Sequence, residues 1–383
     1  MLNSNSQSTS PILFNTLHNK ISIGTLLIGL ATVITSILFI TYNYSPLFFG
    51  DYEQVISRMW QLKQGEISKI DFFLLRQIDH PHALVFFLSF LDIQLTDGSF
   101  FILYFSSLLF VITSIALLAI FTAREFHTQT IFFPIFGLIA IFLAGPQNIG
   151  FLAQPFQVAI TGTTAFVVFG FFLIKKIPAL KTFNTYVIYT ISSLCFSIAS
   201  LSHGAGIISA ITLLILGTMF NRRDLWAVAG ISIFIYAIYG IFYPPTEHLD
   251  NSFLIKKANQ DLVQLPLILV YLCNLIGHGI CFGLFGNFVD VCSGALGLTL
   301  YTTLIITNIK NNKANIFSPC LSTFGLLASL SSVFLNFFYA DVRKITPTFQ
   351  YFHQDRYLPW LSLFWLGTLI GIIILFRNKN LNP

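Results

Sequence analysis

The feature that most constrains this chain is a series of apolar stretches, each about 20 residues long and almost free of charge. A helix of about 20 residues crosses the roughly 30 Å of hydrocarbon in a bilayer. Only 9% of the residues are charged, whereas an ordinary soluble domain is about one quarter charged. The sequence therefore predicts an all-α, polytopic membrane protein and excludes a water-soluble globule.

The apolar stretches predict about ten transmembrane helices. They lie near 21–42, 99–122, 131–146, 156–174, 185–202, 204–220, 225–243, 288–308, 318–340 and 359–376. The stretch 21–42 is too long for the core of a signal peptide, so we expect it to remain as the first helix. The stretch 266–287 is ambiguous because it is apolar but carries Asn274, His278 and several glycines. A full span and a re-entrant segment both remain open, and the second keeps the loop charges regular.

Basic residues are concentrated in short loops on one side of this predicted bundle. Eleven of the 20 Lys and Arg residues lie there, with only two of the 15 acids. Short loops rich in Lys and Arg mark the cytoplasmic side. We therefore expect a cytoplasmic tail over 1–20, one membrane domain over 21–376 and a cytoplasmic tail over 377–383. The long loops, of which 43–98 is the first, are expected on the opposite side.

Two acids follow the first helix, in the segment Gly50-Asp51-Tyr52-Glu53. Asp51 lies just beyond the predicted hydrocarbon, where a partly desolvated carboxylate can take a proton from a hydroxyl group or bind a divalent cation. Asp51 can equally be the N-cap of a helix that starts at Tyr52, with Glu53 favoured near the same N-terminus. Both interpretations remain open from the residues alone.

A second polar cluster lies later in the same loop, within Arg76-Gln77-Ile78-Asp79-His80-Pro81-His82. Side chains of these types bind phosphate or transfer protons. The simpler alternative is an ordinary loop turned by Pro81 with solvated histidines, and the spacing matches no standard metal site. The apolar residues 83–95 that follow are too few to cross a membrane and predict an interfacial amphipathic helix.

The last long loop ends in Asp355-Arg356-Tyr357, shortly before the last helix. Arg356 lies where the phosphate of a lipid head group would sit, and its guanidinium can donate two parallel hydrogen bonds to phosphate oxygens. Lys344 adds a second positive charge to the same loop. The alternatives are a salt bridge between Arg356 and Asp355, or contact with ordinary phospholipid.

Uncharged polar residues mark two further turns on this side of the membrane. Gln154 lies in the turn before the fourth helix, and Ser202-His203-Gly204 forms the turn before the sixth. Such side chains fit the wall of a sugar-binding cavity. They fit helix caps and hydrogen bonds between helices equally well.

These motifs together resemble the GT-C integral-membrane glycosyltransferases, of the type that modifies bacterial surface polysaccharides and O-antigen. The resemblance is carried by Gly50-Asp51-Tyr52, Asp79-His80-Pro81-His82, Ser202-His203-Gly204-Ala205-Gly206 and Asp355-Arg356-Tyr357, together with the long first outer loop and about ten spans. It implies a GT-C-like fold in a bacterial inner membrane, with a site that faces the periplasm. It also implies transfer of a sugar from a polyprenyl-phosphate donor to a glycan or lipid-linked acceptor.

The resemblance implies that Asp51 is the catalytic carboxylate and that Arg356 contacts the donor phosphate. The paired acids of several GT-C groups are replaced here by Asp51-Tyr52-Glu53, so Glu53 is a second candidate for the base. Arg76 and Lys344 are the candidates that would assist Arg356. The residues expected to contact substrate are Asp79, His80, His82, Gln154, His203 and Tyr357.

The expected partners are a polyprenyl-phosphate-linked sugar, its acceptor and membrane lipid. The net charge of +5 is small and scattered, which excludes nucleic acid as a partner. No metal site is predicted, and a divalent cation at Asp51 is the one cofactor that stays open. A transporter or flippase of lipid-linked sugars, and an O-antigen polymerase or ligase, are the alternative functions.

Overall fold

The computed structural model describes residues 10–42, 52–76, 81–125, 132–145, 148, 152, 154–175, 182–244, 265–281, 284–311, 316–342 and 358–381. These residues form helices and turns, and they contain no strand. The helices are α1 Ser10–Tyr42, α2 Tyr52–Gln64, α3 Lys69–Leu74, α4 Ala83–Thr96, α5 Phe101–Glu125, α6 Phe132–Ala144, α7 Val158–Ile174, α8 Thr182–Ser202, α9 Ile207–Met219, α10 Arg223–Phe242, α11 Leu265–Cys281, α12 Asn287–Asn311, α13 Phe317–Val342 and α14 Leu358–Leu381. Short 3-10 turns, Pro155–Gln157 and Gly204–Gly206, precede α7 and α9.

The described part of the chain is all-helical, as predicted, and eight of its helices are long and apolar enough to cross a membrane. They are α1, α5, α7 with its preceding turn, α8, α10, α12, α13 and α14. The predicted spans 131–146 and 204–220 correspond to α6 and α9, which are helical but shorter. The chain is therefore a multi-pass helical protein by length and composition, and the count of ten spans stays a prediction.

The short helix α6 can end inside the bundle because remote side chains bind its last carbonyl groups. Ser36 Oγ of α1 donates to the carbonyl of Ala144 over 2.5 Å. Ser362 Oγ of α14 and Asn148 Nδ2 both donate to the carbonyl of Phe142, over 2.8 and 2.9 Å. The last carbonyls of a helix need such partners wherever water is absent. These three side chains allow α6 to stop after 13 residues.

The predicted first loop, 43–98, contains three helices, α2, α3 and α4. Residues 83–95, predicted as an interfacial helix, are helical in α4, and one side of the helix is buried; its place at a membrane surface stays a prediction. Its Asp92 has no exposed surface and accepts the backbone N–H groups of Phe100 and Ile102, over 2.7 and 2.9 Å. Asp92 therefore holds α4 against the start of α5 through these two hydrogen bonds. A helix that only lies on the membrane surface would not be expected to make such bonds.

Two ends of the bundle are defined by their contacts. Lys175 at the end of α7 forms an ion pair with Glu125 at the end of α5, and Arg377 Nη1 of α14 donates to the carbonyl of Glu125 over 3.3 Å. We call this the Lys175 end. At the opposite ends of α8 and α14, the ring centroids of His203 and Trp360 lie 5.4 Å apart. We call this the His203 end.

Helices α11 and α12 pack backbone to backbone in an antiparallel hairpin. A Cβ atom on Gly277 of α11 would lie 1.7 Å from the carbonyl oxygen of Asp290. A Cβ atom on Gly294 of α12 would lie 1.8 Å from the carbonyl oxygen of Cys273. Only glycine permits such an approach. Residues 266–281 are thus helical, and whether 266–287 is a full span or a re-entrant segment stays a prediction.

Helix α14 fixes which end of the bundle the hairpin turn faces. Trp365 Nε1 donates to the carbonyl of Ile276 over 2.7 Å, and a Cβ atom on Gly279 would lie 2.8 Å from Cβ of Leu361. The later residues of α11 thus contact the earlier residues of α14. Because α14 starts at the His203 end, the turn between α11 and α12 also lies towards that end.

Candidate functional site

Four rings from separate segments form a row at the His203 end. The centroid of His82 lies 5.0 Å from that of Phe156 and 5.9 Å from that of His203. His203 in turn lies 5.4 Å from Trp360. We call these four residues the His203 cluster. They precede or begin α4, α7, α9 and α14, so the cluster depends on the whole bundle.

His203 is held in place by the turn that follows it. Its backbone is extended, and its Nδ1 accepts the backbone N–H of Ala205 over 3.1 Å. When Nδ1 is an acceptor, the proton of the neutral ring lies on Nε2. A Cβ atom on Gly206 would lie 2.2 Å from the backbone of Ala199, so the turn packs directly on α8. The side chain of His203 thus caps this turn, which fixes the orientation of the ring, and contact of His203 with a substrate stays a prediction.

His82 is buried, with 8% of its surface exposed. Its ring meets Phe156 edge to face, and its carbonyl accepts the backbone N–H of Phe86 in the first turn of α4. The alternative in which His82 is a solvated loop residue is therefore wrong. The start of α4 brings this histidine inward.

A small cavity lies beside Pro359, which directly precedes Trp360 of the cluster in the sequence. Its wall combines apolar side chains with three hydroxyl groups. The lining residues are Val111, Ser114, Leu143, Leu152, Thr161, Thr164 and Pro359. Thr161 Oγ1 lies 3.0 Å from Ser107 Oγ, and Ser114 Oγ donates to the carbonyl of Phe110 over 2.9 Å. These bonds satisfy the hydroxyls within the protein.

Arg58 of α2 organises the segment that leads to His82, although the sequence interpretation did not select it. Only 9% of Arg58 is exposed. Its Nη1 donates to the carbonyl of Leu75 over 2.7 Å, and its Nη2 donates to the carbonyl of Arg76. Its guanidinium carbon lies 4.1 Å from the centroid of the Phe86 ring. Burial lowers the pKa of Arg58 to about 10.

Arg76 is held against the end of α10. Its Nε donates to the carbonyl of Tyr243 over 2.6 Å, and its guanidinium carbon lies 4.9 Å from the centroid of the Tyr239 ring. Tyr239 also binds the first loop directly, because its hydroxyl donates to the carbonyl of Leu74 over 2.9 Å. This predicted phosphate ligand therefore has a structural role between the first loop and α10.

Asp71 of α3 belongs to the same network of hydrogen bonds. Ser68 caps α3 through reciprocal bonds with Asp71, and these bonds lower the pKa of Asp71. The hydroxyl of Tyr243 also donates to Asp71 Oδ1 over 3.1 Å, which acts in the same direction. Partial burial raises the pKa of Tyr243, and its bond to Asp71 adds to the rise. Together with Arg58 and Arg76 these contacts form what we call the Arg58 network.

The other predicted site residues fall into two groups. Six lie outside the described residues, so their meeting stays a prediction. They are Asp51, Asp79, His80, Lys344, Arg356 and Tyr357. Glu53 is exposed in the first turn of α2, and Gln154 is exposed and accepts a hydrogen bond from Gln157 Nε2 over 3.1 Å. The structure thus brings together His82 and His203 among the predicted residues.

A sequence signal for Arg58 exists in the periodicity of α2. Arg58 lies three residues after the buried Val55, directly before the buried Met59 and four before Leu62, which packs on the core. These positions form one face of a helix. An arginine on an apolar helix face indicates a buried hydrogen-bonding role.

The described residues contain no group of three or more His, Cys, Asp or Glu arranged to hold a metal ion. Asp51 lies outside them, so the divalent cation stays an open prediction. Comparisons with known proteins give no match: no family model, no curated protein and no solved structure is significantly similar to this chain.

Proposed function

We propose that this protein is a membrane glycosyltransferase of the GT-C type, which moves one sugar from a polyprenyl-phosphate donor to a glycan or lipid-linked acceptor. One observation supports the proposal most. His82, His203 and Trp360 meet at one end of the bundle although they are far apart in the sequence. Aromatic faces and imidazole N–H groups side by side suit a sugar, which presents both C–H faces and hydroxyls.

The chain around the cluster supplies the remaining candidates. Asp51 directly precedes α2, whose Arg58 is bonded to the segment before His82. Arg356 precedes Trp360 by four residues. The site would face the periplasm of a bacterial inner membrane, since the basic short loops are placed in the cytoplasm.

In the proposed reaction, the acceptor hydroxyl oxygen forms a bond to the anomeric carbon of the donor sugar. The bond between that carbon and the phosphate oxygen breaks, and its electron pair leaves with the polyprenyl phosphate. Asp51, or Glu53 in its place, takes the hydroxyl proton. Arg356, assisted by Arg76 or Lys344, stabilises the charge that develops on the phosphate.

The test is transfer by the purified protein in lipid nanodiscs, with a panel of synthetic polyprenyl-phosphate sugars and mass spectrometry of the products. Asp51→Asn should lower the rate about 100-fold or more, because a general base contributes on that order. Asp97→Asn, in an exposed turn, is the matched control and should keep the wild-type rate. Undiminished transfer by Asp51→Asn would remove Asp51 from its proposed role.

A transporter or flippase of lipid-linked sugars is the second candidate, and one observation favours it. Asp290 of α12 is buried within a helix long enough to span the membrane. Buried ionisable residues in membrane helices commonly mark ion pathways. Movement of lipid-linked sugar between leaflets of the reconstituted system, without any transfer product, would favour this candidate.

A further inference from the structure

A carboxylate and a histidine face each other within the α11–α12 hairpin. Asp290 Oδ2 lies 3.4 Å from His278 Nδ1, and Asp290 is 1% exposed. The other oxygen, Asp290 Oδ1, is buried and has no hydrogen-bond donor among the described residues. A polar atom in this situation needs an explanation, since buried oxygens are nearly always bonded.

The packing of the hairpin encloses Asp290, which is 1% exposed. The backbone of Asp290 lies directly against Gly277, where no side chain would fit. On one side, Asn274 Nδ2 donates to the carbonyl of Asn287 over 3.2 Å. On the other, Cys281 Sγ and Ser293 Oγ are 3.1 Å apart. The Asp290 carboxyl therefore stays between the two helices.

No opposite charge near Asp290 is available from the neighbouring helices as far as they are described. Helices α13 and α14 pack against the hairpin, and among the side chains that are described on these four helices the charged groups other than Asp290 are Lys310 and Arg377, both towards the Lys175 end. The other titratable groups among these described side chains are phenols and thiols. They are Tyr271, Cys273, Cys281, Cys292, Tyr301 and Cys320. His278 is thus the titratable partner of Asp290 in this part of the protein.

The unbonded oxygen discriminates between the two charge states of Asp290. An ionised carboxylate, alone or paired with a protonated His278, would keep part of its charge on the buried and unbonded Oδ1, which is strongly unfavourable. In a neutral carboxylic acid, Oδ2–H can donate to His278 Nδ1, and Oδ1 becomes a carbonyl oxygen. Leaving a neutral carbonyl oxygen without a donor costs far less than leaving a charged one.

We propose that Asp290 is a proton-binding site, a neutral carboxylic acid that donates its proton to a hydrogen bond with His278 Nδ1. This inference does not depend on the glycosyltransferase proposal. Loss of the proton would leave a negative charge between α11 and α12, and that charge would favour their separation. Binding and release of one proton are thereby linked to the packing of the hairpin.

The test is infrared spectroscopy of the full-length protein in nanodiscs at about pH 8, where carboxyl groups in water are ionised. We expect a carbonyl-stretch band of a protonated carboxylic acid in the wild type. Asp290→Asn should abolish the band, and Asp97→Asn should leave it unchanged. His278→Leu should shift its frequency, because the acid loses its hydrogen-bond acceptor.

Each outcome decides the proposal. A wild-type spectrum without the band overturns it, and so does a band of equal intensity in Asp290→Asn. If Asp290→Asn does not give folded protein by gel filtration, His278→Leu decides instead. A shifted band then supports the proposal, and an unshifted band means that the protonated acid lies elsewhere.

Discussion

Both ends of the bundle contain partly or fully buried cations, but the two ends use different acceptors. At the His203 end, Arg58 donates to the carbonyls of Leu75 and Arg76. At the Lys175 end, Lys175 pairs with Glu125. There, too, the guanidinium of Arg222 binds Asp224, with Nε 2.8 Å from Oδ1.

The difference matters for the charge that each end presents. A hydrogen bond to a carbonyl leaves the formal charge of an arginine uncancelled, whereas an ion pair cancels it. The bonds of Arg58 to two carbonyls therefore leave its positive charge uncancelled beside the segment that leads to His82. An anionic head group is attracted to such a surface, and this is the end at which the proposed donor would bind.

Removal of Arg58 should have the largest effect on stability. Arg58→Ala deprives two partly buried carbonyls of a donor and removes the contact with the Phe86 ring. We expect the free energy of unfolding to fall by about 2 to 4 kcal/mol. Denaturant unfolding in mild detergent, followed by tryptophan fluorescence, measures this. Lys63→Ala, exposed on the same helix, should change it by less than about 0.5 kcal/mol. Equal losses in the two variants would contradict the structural role of Arg58.

The turn that holds His203 gives the next largest expected effect. Gly206→Ala introduces a methyl group against the backbone of Ala199 and should cost about 1 to 3 kcal/mol. Gly230→Ala is the matched control, because no atom lies within 4 Å of a Cβ at that helical position. The free energy of unfolding of Gly230→Ala should stay the same or rise by up to about 1 kcal/mol. Tolerance of Gly206→Ala would show that the turn is not packed on α8 as described.

Salt concentration should affect the stability of the two ends differently. Lys175→Met breaks the pair with Glu125 and should cost about 1 kcal/mol or less, since both side chains are partly exposed. At about 1 M salt the Debye length falls to roughly 3 Å, so this loss should shrink. The loss caused by Arg58→Ala should change little with salt, because Arg58 is bonded to uncharged carbonyls. A salt-sensitive loss at Arg58 would make the two ends equivalent.

The smallest effect on stability is expected from a change in the pKa of Asp71. Its pKa is lowered by the bonds from Ser68, so Ser68→Ala should raise it towards its ordinary value of about 3.9. Since the folded pKa lies below the unfolded one, Asp71 stabilises the fold above pH of about 4 and loses this contribution as the pH falls through the folded value. Carboxyl carbon NMR of Asp71 in a pH titration measures the shift. Ser99→Ala is the control, and an unchanged titration curve in Ser68→Ala would contradict the assignment.

The helices could be predicted from the sequence because a membrane-spanning stretch is recognised by its own apolar residues. Their ends were less predictable where remote side chains determine them. Helix α6 stops at Ala144 because Ser36 and Ser362, from the first and last helices, bind its carbonyls. Nothing in the local sequence of α6 carries that information.

The candidate site was predictable residue by residue, but its assembly was not. His82 and His203 are identifiable as histidines at the edges of apolar segments. Their contact with each other and with Trp360 depends on how α4, α9 and α14 pack. The periodicity of α2 places Arg58 on the buried face of the helix, but the carbonyls that it binds are identified by the tertiary structure alone.

The backbone contacts at Gly277 and Gly294 also have a mechanical consequence. With two fixed points of contact along their length, α11 and α12 cannot slide past each other without first moving apart. While both contacts hold, α11 and α12 must move together, and the bond from Trp365 to Ile276 holds the pair against α14. A charge that separates the two helices at Asp290 would loosen both contacts, because Gly277 and Gly294 belong to the same interface.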